Sequence, residues 1–265
     1  MYRWLAVTGL AVLLANAAYP AEADTSTDVA HVVADIPEPA FGAPVLMVGE
    51  SHRRPKSHAF TSALIRRALH HDRCVTLALE IPVDQADTWR SLANEPEAIG
   101  SMSLPSIHDS PSLRRLLQTT ARLAHQDCLK LNAIDSIPTQ SIDHPGGRDF
   151  VMAEHIADLV TDDRLVIALV GSNHAPRHID WDYDAPGQST TFYLAERGID
   201  AYVILQDWVE TEAPRVLAGD GEAAVSAYNR LQWFRSVVPA TTFTRYADRL
   251  IQWPDIGTLE FGGSE

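Results

Sequence analysis

Val45-Leu46-Met47-Val48-Gly49-Glu50-Ser51-His52 is a short apolar run that ends abruptly in polar residues. Apolar runs of this length, without alternating polar residues, are typical of strands that are covered on both faces. Four further strand candidates follow, over residues 74–81, 129–135, 165–171 and 201–206, and four of the five candidates have this character. Together the five runs predict a buried, mostly parallel sheet.

Amphipathic segments separate the apolar runs. Residues 57–70, 112–124 and 149–160 place apolar side chains on one stripe at helical spacing. Strands that alternate with helices in this way predict an α/β fold, in which helices flank an open, mostly parallel sheet. Because ligands of such sheets bind outside the carboxyl ends of the strands, we expect an active cleft there.

The C-terminal part of the chain is less regular. Residues 223–234 and 242–251 have helical spacing, whereas residues 179–188 are typical of a surface loop. No repeat or low-complexity tract divides the sequence. We therefore expect a single α/β domain over residues 24–265, with an additional C-terminal segment from about residue 207.

The composition is that of a globular chain, since 46% of the 265 residues are hydrophobic and 21% are charged. The 21 Lys and Arg residues against 35 Asp and Glu residues leave a net charge of -14. A negatively charged chain repels phosphate backbones, and the sequence contains no run of Lys and Arg. We therefore expect no nucleic-acid partner.

Residues 1–23 have the features of a secretory signal peptide. Arg3 supplies a positive charge, residues 4–18 are nearly all apolar, and Ala21-Glu22-Ala23 is a small-x-small cleavage site. The apolar run of about 15 residues is shorter than the roughly 20 that a membrane-spanning helix needs. We expect export, to the periplasm or out of the cell, with no stable membrane span after cleavage; the alternative is an N-terminal anchor that is never cut.

The two cysteines, Cys74 and Cys128, each begin an apolar run. If the two predicted strands are neighbours in a parallel sheet, both sulfur atoms lie at the same end of it, within reach of each other. Because disulfides persist in the compartments to which exported proteins go, we favour a bridge over two buried free thiols.

Ionisable side chains stand where the apolar runs end. The first run is followed by Glu50 and His52, the second ends in Glu80, the third in Asp135, and the fourth is followed by His174. A carboxylate beside an imidazole can accept and donate a proton near neutral pH and activate a water molecule. The same side chains are normal ligands of Zn, Mn or Fe.

A structural interpretation exists for each of these residues. Glu80 could cap the helix that follows it, or pair with Arg66 or Arg67, and His174 could make a structural hydrogen bond in a turn. A single Glu or His at a strand end is more often structural than catalytic. Four of them at the ends of separate strands favour a functional site.

The order of these motifs resembles the ChaN-like haem-binding uptake proteins, which are relatives of the Tiki proteases and the erythromycin esterases. The resemblance covers about half of the chain and rests on the following residues: Gly49-Glu50-Ser51-His52-Arg53-Arg54-Pro55-Lys56-Ser57-His58, Leu79-Glu80, Asp84-Gln85, Arg148-Asp149-Phe150-Val151-Met152-Ala153 and Val170-Gly171-Ser172-Asn173-His174.

Each branch implies a different use of the motifs. Similarity to the Tiki branch implies a peptidase that holds a divalent metal through His52, Glu80 and His174, although Tiki members generally carry Thr at the position of Glu50. Similarity to the esterases implies that Glu50 and His52 act without metal, with His52 as the base, although their His lies one residue later. Similarity to the ChaN members, which share Glu50, His52, Pro55 and His58, implies haem binding through residues outside these motifs.

Arg148 and His58 are the predicted substrate-binding residues. Arg148 follows Gly146-Gly147 at the start of a predicted helix, where its guanidinium could bind a substrate carboxylate or orient Glu80 through a bidentate pair. Surface ion pairs of Arg148 with Glu154, or of Asp149 with Arg164, are the structural alternative.

Three functional hypotheses follow. The first is an exported hydrolase of ester or peptide bonds, with Glu50, His52, Glu80 and His174 as catalytic residues and a divalent metal as a possible cofactor. The second is an uptake protein that binds haem or iron without catalysis. The third is a scaffold that keeps the fold alone. The expected partner is accordingly a small molecule, a peptide or haem.

Overall fold

Seven strands and seven α-helices account for most of the described chain, which in this computed structural model comprises residues 27–85, 88, 95–124, 128–137, 146–183, 187–232, 235–254 and 259–260. The predicted signal peptide lies outside these residues. The strands are β1 (Val45–Glu50), β2 (Cys74–Pro82), β3 (Leu129–Asp135), β4 (Arg164–Gly171), β5 (Ala201–Val209), β6 (Arg215–Leu217) and β7 (Arg249–Pro254). The helices are α1 (Thr27–Ala34), α2 (Pro39–Gly42), α3 (Pro55–His70), α4 (Pro111–Ala124), α5 (Gly147–Ala157), α6 (Thr190–Glu196) and α7 (Glu222–Leu231).

All seven strands belong to one sheet, in the order β3-β2-β4-β1-β5-β7-β6. Every neighbouring pair is parallel except β6 with β7, which is antiparallel. The predicted α/β fold with an open, mostly parallel sheet is therefore confirmed, and each of the five predicted strands is present. Because β1 and β4 lie side by side in the middle of the sheet, the residues that follow them meet at the centre of its carboxyl end.

Helices cover both faces of the sheet, and the strands divide their side chains between two apolar cores. Along β1, Leu46 and Val48 pack with the residues of α1, α3 and α4, whereas Val45 and Met47 pack with α5, α6 and α7. This alternation follows from the pleat, which points successive side chains to opposite faces. Burial on both faces explains why β1 reads as a continuous apolar run.

A disulfide joins Cys74 to Cys128, with Cα atoms 4.4 Å apart. Cys74 is the first residue of β2, and Val75 of the same strand pairs with Leu129 of β3. The two strands are therefore parallel neighbours, the disulfide favoured from the sequence is present, and the alternative of two free thiols is wrong.

The predicted helix over residues 242–251 is wrong. Phe243, Tyr246 and Ala247 are followed by Leu250 and Ile251, which is helical spacing, and all five side chains are buried. The structure instead has turns up to residue 248 and then strand β7. The Asp220 carboxylate accepts the backbone N–H groups of residues 243 and 244, and the edge of β5 pairs with residues 249–254, so tertiary contacts override the local pattern.

No helix among the described residues is both long enough and apolar enough to cross a membrane. The longest, α3, has 16 residues and carries a charged face. The polar segment between β2 and α4 contains a 3-10 helix over Pro96–Ser101. This segment also carries His108, which contacts His52 at the carboxyl end of the sheet.

Candidate active site

Ionisable residues at the ends of four adjacent strands lie together at the carboxyl end of the sheet. Glu50 is the last residue of β1, Glu80 lies near the end of β2, Asp135 ends β3, and His174 lies three residues after the end of β4. Since these strands lie side by side in the order β3-β2-β4-β1, their carboxyl ends form a single cleft. The predicted residues Glu50, His52, Glu80, Arg148 and His174 all lie in it.

Glu50 and His52 form a hydrogen-bonded carboxylate–imidazole pair. His52 Nδ1 lies 2.9 Å from Glu50 Oε1, and the Glu50 side chain is only 6% exposed. Burial lowers the pKa of His52, but the hydrogen bond and the negative charge of Glu50 raise it more, so the net pKa lies above its usual value. The pair leaves Nε2 of His52 free to accept a proton in the cleft.

The other carboxylate oxygen of Glu50 is held by a buried serine and a buried histidine. Glu50 Oε2 accepts a hydrogen bond from Ser57 Oγ at 3.2 Å and lies 3.3 Å from Nε2 of His58. His58 is itself fixed by a 2.7 Å contact between its Nδ1 and Ser112 Oγ. Burial alone would raise the pKa of Glu50, but the charge of His58 and the hydrogen bond from His52 lower it well below its usual range, so Glu50 stays ionised.

Arg148 bridges two buried carboxylates on the opposite side of the cleft. Its guanidinium makes a bidentate pair with Asp135, at 2.6 and 2.8 Å, and donates to Glu80 Oε1 at 2.6 Å. Glu80 Oε2 accepts the backbone N–H of Gly171 at 2.6 Å. Burial raises the pKa of Glu80, but the positive charges of His174 and Arg148 lower it by more than burial raises it. The net pKa of Glu80 is therefore below the usual value.

His174 forms a second carboxylate–imidazole pair, with Asp149. The distance from His174 Nδ1 to Asp149 Oδ1 is 2.8 Å, and Thr190 Oγ1 donates to the same oxygen at 2.8 Å. His174 Nε2 faces Glu80 Oε1 at 3.5 Å. Burial lowers the pKa of His174, but the hydrogen bond and charge of Asp149 raise it above its usual value.

Two glycines allow these groups to approach the ends of the strands. A Cβ atom on Gly171 would lie 3.1 Å from His52 Nε2 and 3.4 Å from Glu80 Oε2. A Cβ atom on Gly49 would lie 2.9 Å from the Cβ of Ala175, which a folded core does not tolerate. The glycines that precede Glu50 and His174 in the sequence therefore have steric reasons to be there.

His108 is a cleft residue that the sequence did not predict. It comes from the polar segment before α4, is 6% exposed, and meets the ring of His52 edge-on with ring centroids 4.2 Å apart. Burial, followed by the positive charge of His52, lowers the pKa of His108 to about 4. No motif or spacing marks this histidine, because only the folding of its loop over the cleft brings it there.

The charged residues of the cleft have partners other than those of the alternative ion pairs. Glu80 pairs with neither Arg66 nor Arg67: Arg66 donates to Ser62, and Arg67 pairs with Glu38. Arg148 faces the cleft rather than a surface partner, and Asp149 holds His174. The prediction that Arg148 orients Glu80 agrees with these contacts, although the pair is monodentate towards Glu80 and bidentate towards Asp135.

A small cavity adjoins Glu50 and Glu80. A cavity of about 10 Å³, room for about one water molecule, is lined by Glu50, Glu80 and His108 together with four apolar side chains: Leu79, Ile81, Leu113 and Leu169. A water molecule or a single ion fits this volume, whereas a haem group does not. The Glu and His donors that surround it are the types that bind transition metals.

Solved structures with the same fold include two proteins whose names state a ligand or an activity. A mutant of the erythromycin esterase EreC in its open conformation superposes with a TM-score of 0.57 at 13% identity, covering 85% of this chain and 94% of that one. ChaN of Campylobacter jejuni, in a structure with cofacially bound haem, gives a TM-score of 0.53 at 8% identity, covering 84% of this chain and 91% of that one.

A third structure, a protein from Bacillus cereus, gives a TM-score of 0.53 at 10% identity over 79% of this chain and 88% of that one. No protein-family model matches the sequence, and no curated protein matches it either. The resemblance inferred from the motifs is thus confirmed at the level of fold: the chain has the α/β fold shared by ChaN and the erythromycin esterase.

Proposed function

We propose that the protein is a hydrolase that cleaves an ester or peptide bond with a water molecule activated by Glu50 and His52. The observation that carries this proposal is the pair of histidines in one cleft, each held through Nδ1 by a carboxylate and each lying beside Glu80. A carboxylate on Nδ1 fixes the tautomer, so Nε2 is left to carry protons.

His52 acts as the general base in this proposal. Nε2 of His52 takes a proton from water while the water oxygen attacks the carbonyl carbon of the substrate, and the charge of Glu50 stabilises the imidazolium that forms. Arg148 faces the carbonyl oxygen as it becomes negative; its side chain is 39% exposed and so within reach of a substrate. When the bond to the leaving group breaks, His174 supplies the proton that this group needs.

His58 has a different role from the substrate contact that the motif predicted. Its side chain is 2% exposed and lies between Glu50 and Ser112, so a substrate would have no access to it. We propose that His58 is a positioning residue, which holds the carboxylate of Glu50 at the angle that His52 requires. No step of the proposed mechanism needs a metal ion.

Purified protein assayed with p-nitrophenyl esters, erythromycin and fluorescent casein tests the proposal. We expect turnover of at least one of these substrates. We expect His52→Ala to lower kcat/KM by about 10²- to 10⁴-fold, because the general base is removed. The melting temperature of the variant must stay close to that of the wild type; unfolding of both His52→Ala and Glu50→Gln would instead support a structural role for the cleft.

The dependence of kcat/KM on pH separates general-base catalysis from simple substrate binding. His52 acts only when neutral, so activity should rise with pH through a midpoint above its usual value of 6.5. In Glu50→Gln the interaction that raises this pKa is lost while burial remains, so the midpoint should move to lower pH. An unchanged midpoint in Glu50→Gln would contradict the role of His52.

The second candidate, haem binding, gains support only from the shared fold with ChaN. The cavity between Glu50, Glu80 and His108 has no room for a porphyrin, so haem would need a different surface. Titration of the protein with micromolar haem tests this candidate: a saturable shift of the Soret band supports haem uptake, and a flat titration contradicts it.

We also propose that the protein is exported, to the periplasm or out of the cell. The disulfide between Cys74 and Cys128 supports this, since such bridges persist in oxidising compartments. Fractionation of cells that express the full chain, followed by determination of the mature N-terminus, tests both export and cleavage after Ala23.

A further inference from the structure

The two sides of the cleft differ in how their negative charge is balanced. Glu80 and Asp135 share the permanent positive charge of Arg148. In the described part of the chain, the ion pairs of Glu50 are to the imidazoles of His52 and His58, whose charge is not permanent. A buried carboxylate without a fixed counter-charge is costly, so the Glu50 side of the cleft favours a bound cation.

The donors around Glu50 match a transition-metal ion. Glu50, His52 and His108 each offer one ligand atom, and these three atoms lie within 4.8 Å of one another. Two imidazoles and one carboxylate form a common ligand set for zinc that leaves a fourth position open. Around a tetrahedral zinc ion the ligand atoms are about 3.3 Å apart, so shifts of about 1 Å would close the site.

The other His and Glu groups of the cleft are less suited to a metal ion. Glu80 and His174, which the Tiki-like motif pairs with His52 as ligands, have the guanidinium of Arg148 beside them, 2.6 Å from Glu80 Oε1 and 3.4 Å from His174 Nε2. A divalent cation there would have to displace a positive group held by two carboxylates. The cavity that has room for one ion is lined by Glu50 and His108, and also by Glu80.

We propose that Glu50, His52 and His108 form a binding site for one divalent transition-metal ion of the zinc class, and that an ion bound there inhibits the hydrolase. An ion on His52 and Glu50 takes the proposed base and its carboxylate out of proton transfer. The inhibition rests on the proposed function, whereas the binding of the metal does not.

Calorimetric titration of the metal-free full chain with Zn²⁺ tests the binding site. We expect one ion per chain, and a loss of affinity of about tenfold or more in His108→Ala, because one of three ligands is removed. His108→Gln, which keeps a polar side chain in the buried position, should lose affinity to the same extent. Co²⁺ bound to the wild type should give the visible d–d bands of a site with nitrogen ligands.

Two control variants locate the ion. His174→Ala tests the alternative ligand set, and His71→Ala removes an imidazole that is 48% exposed on the surface. Both should bind Zn²⁺ with the affinity of the wild type. The proposal is overturned if the His108 variants bind as well as the wild type, or if His174→Ala or His71→Ala is the variant that loses the ion.

Activity measurements separate this inference from the proposed function. If the protein turns over an ester or peptide substrate, stoichiometric Zn²⁺ should inhibit it, and a chelator should restore the rate. If no substrate is turned over but zinc affinity depends on His108, the hydrolase proposal fails and the metal site stands. Activation of turnover by Zn²⁺ would overturn the inhibitory role.

Discussion

Glu50 and Glu80 are both buried carboxylates, and their partners give them different tasks. Glu50 contacts His52 and His58, so its charge acts on imidazoles. Glu80 contacts Arg148 and the backbone N–H of Gly171, so its charge fixes a guanidinium and the end of a strand. Both follow an apolar run in the sequence, and only their neighbours in space distinguish them.

Gly171 permits the close approach of His52 to the end of β4. Gly171→Ala places a methyl group 3.1 Å from His52 Nε2, so the ring must move away from the position at which it accepts a proton. We expect kcat to fall by about tenfold or more, because small displacements of a catalytic group are costly. Steady-state kinetics on a substrate found by the assays above provide the measurement.

Gly42→Ala is the matched control, because a Cβ atom there has no neighbour within 4 Å. Its kinetics should equal those of the wild type. Circular dichroism and the melting temperature of Gly171→Ala should also stay close to wild type, since φ at Gly171 is compatible with alanine. Full activity in Gly171→Ala would contradict the proposed position of the base.

The residues of the cleft were predictable to different degrees. Glu50, His52, Glu80 and His174 stand directly after apolar runs, and the end of a parallel strand is where such a sheet binds its ligands. His108 has no such marker, since it lies in a polar segment punctuated by prolines and reaches the cleft only through the packing of that segment.

At the level of elements, the sheet order decides which strand ends meet. β1 lies between β4 and β5, and β2 lies between β3 and β4, so the chain order of the strands is not their spatial order. Local apolar runs predict five of these strands, and four of the five are largely buried; the exception is the edge strand β3, in which Lys130 is exposed. They do not predict β7, because its residues follow an apolar pattern of helical spacing and become a strand through pairing with β5 and β6.

The disulfide ties β2 to β3 across a sequence separation of 54 residues. Replacing both cysteines by serine should lower the free energy of unfolding by about 2–4 kcal/mol, because the unfolded chain regains the conformational freedom of a long loop. Urea unfolding of Cys74→Ser/Cys128→Ser and of the wild type gives the difference. Addition of a reductant should destabilise the wild type and leave the double variant unchanged. Equal urea midpoints for the wild type and the double variant without reductant would contradict the prediction.

At the scale of the whole molecule, the cleft makes stability depend on pH. The folded pKa values of Glu50 and Glu80 are lowered, so the stability they contribute is present above their unfolded value of about 4.3 and is lost as the pH falls. His108, whose pKa is lowered to about 4, contributes stability that is lost as the pH falls below its usual value of 6.5.

His52 and His174 act in the opposite sense, because their pKa values are raised in the fold. Their contribution is fully present below their unfolded pKa of 6.5 and is lost as the pH rises through the folded value. Below pH 6.5 the contribution of these two histidines to stability therefore stays constant. The pH dependence of stability in that range follows Glu50, Glu80 and His108, whose pKa values are lowered.

We expect the urea midpoint to decrease as the pH is lowered from about 6.5 to about 4, most steeply below about 4.3. The general repulsion of a chain with a net charge of -14 weakens over the same range and acts the other way, so the test needs a reference variant. Glu80→Gln, which cannot titrate at this position, should show a flatter dependence below pH 4.3. Parallel curves for the variant and the wild type would contradict the assignment.

The sequence alone determined the fold class, five of the seven strands, the cysteine pair and the acidic and imidazole groups at one end of the sheet. These features are local, since a buried strand requires a continuous apolar run and a strand end is marked by the first polar residue after it. Only the tertiary structure decided that Arg148 lies between Glu80 and Asp135, that Asp149 holds His174, and that His108 meets His52. Those contacts depend on the order of the strands and the path of the loops, which are set by packing between segments that lie far apart in the chain.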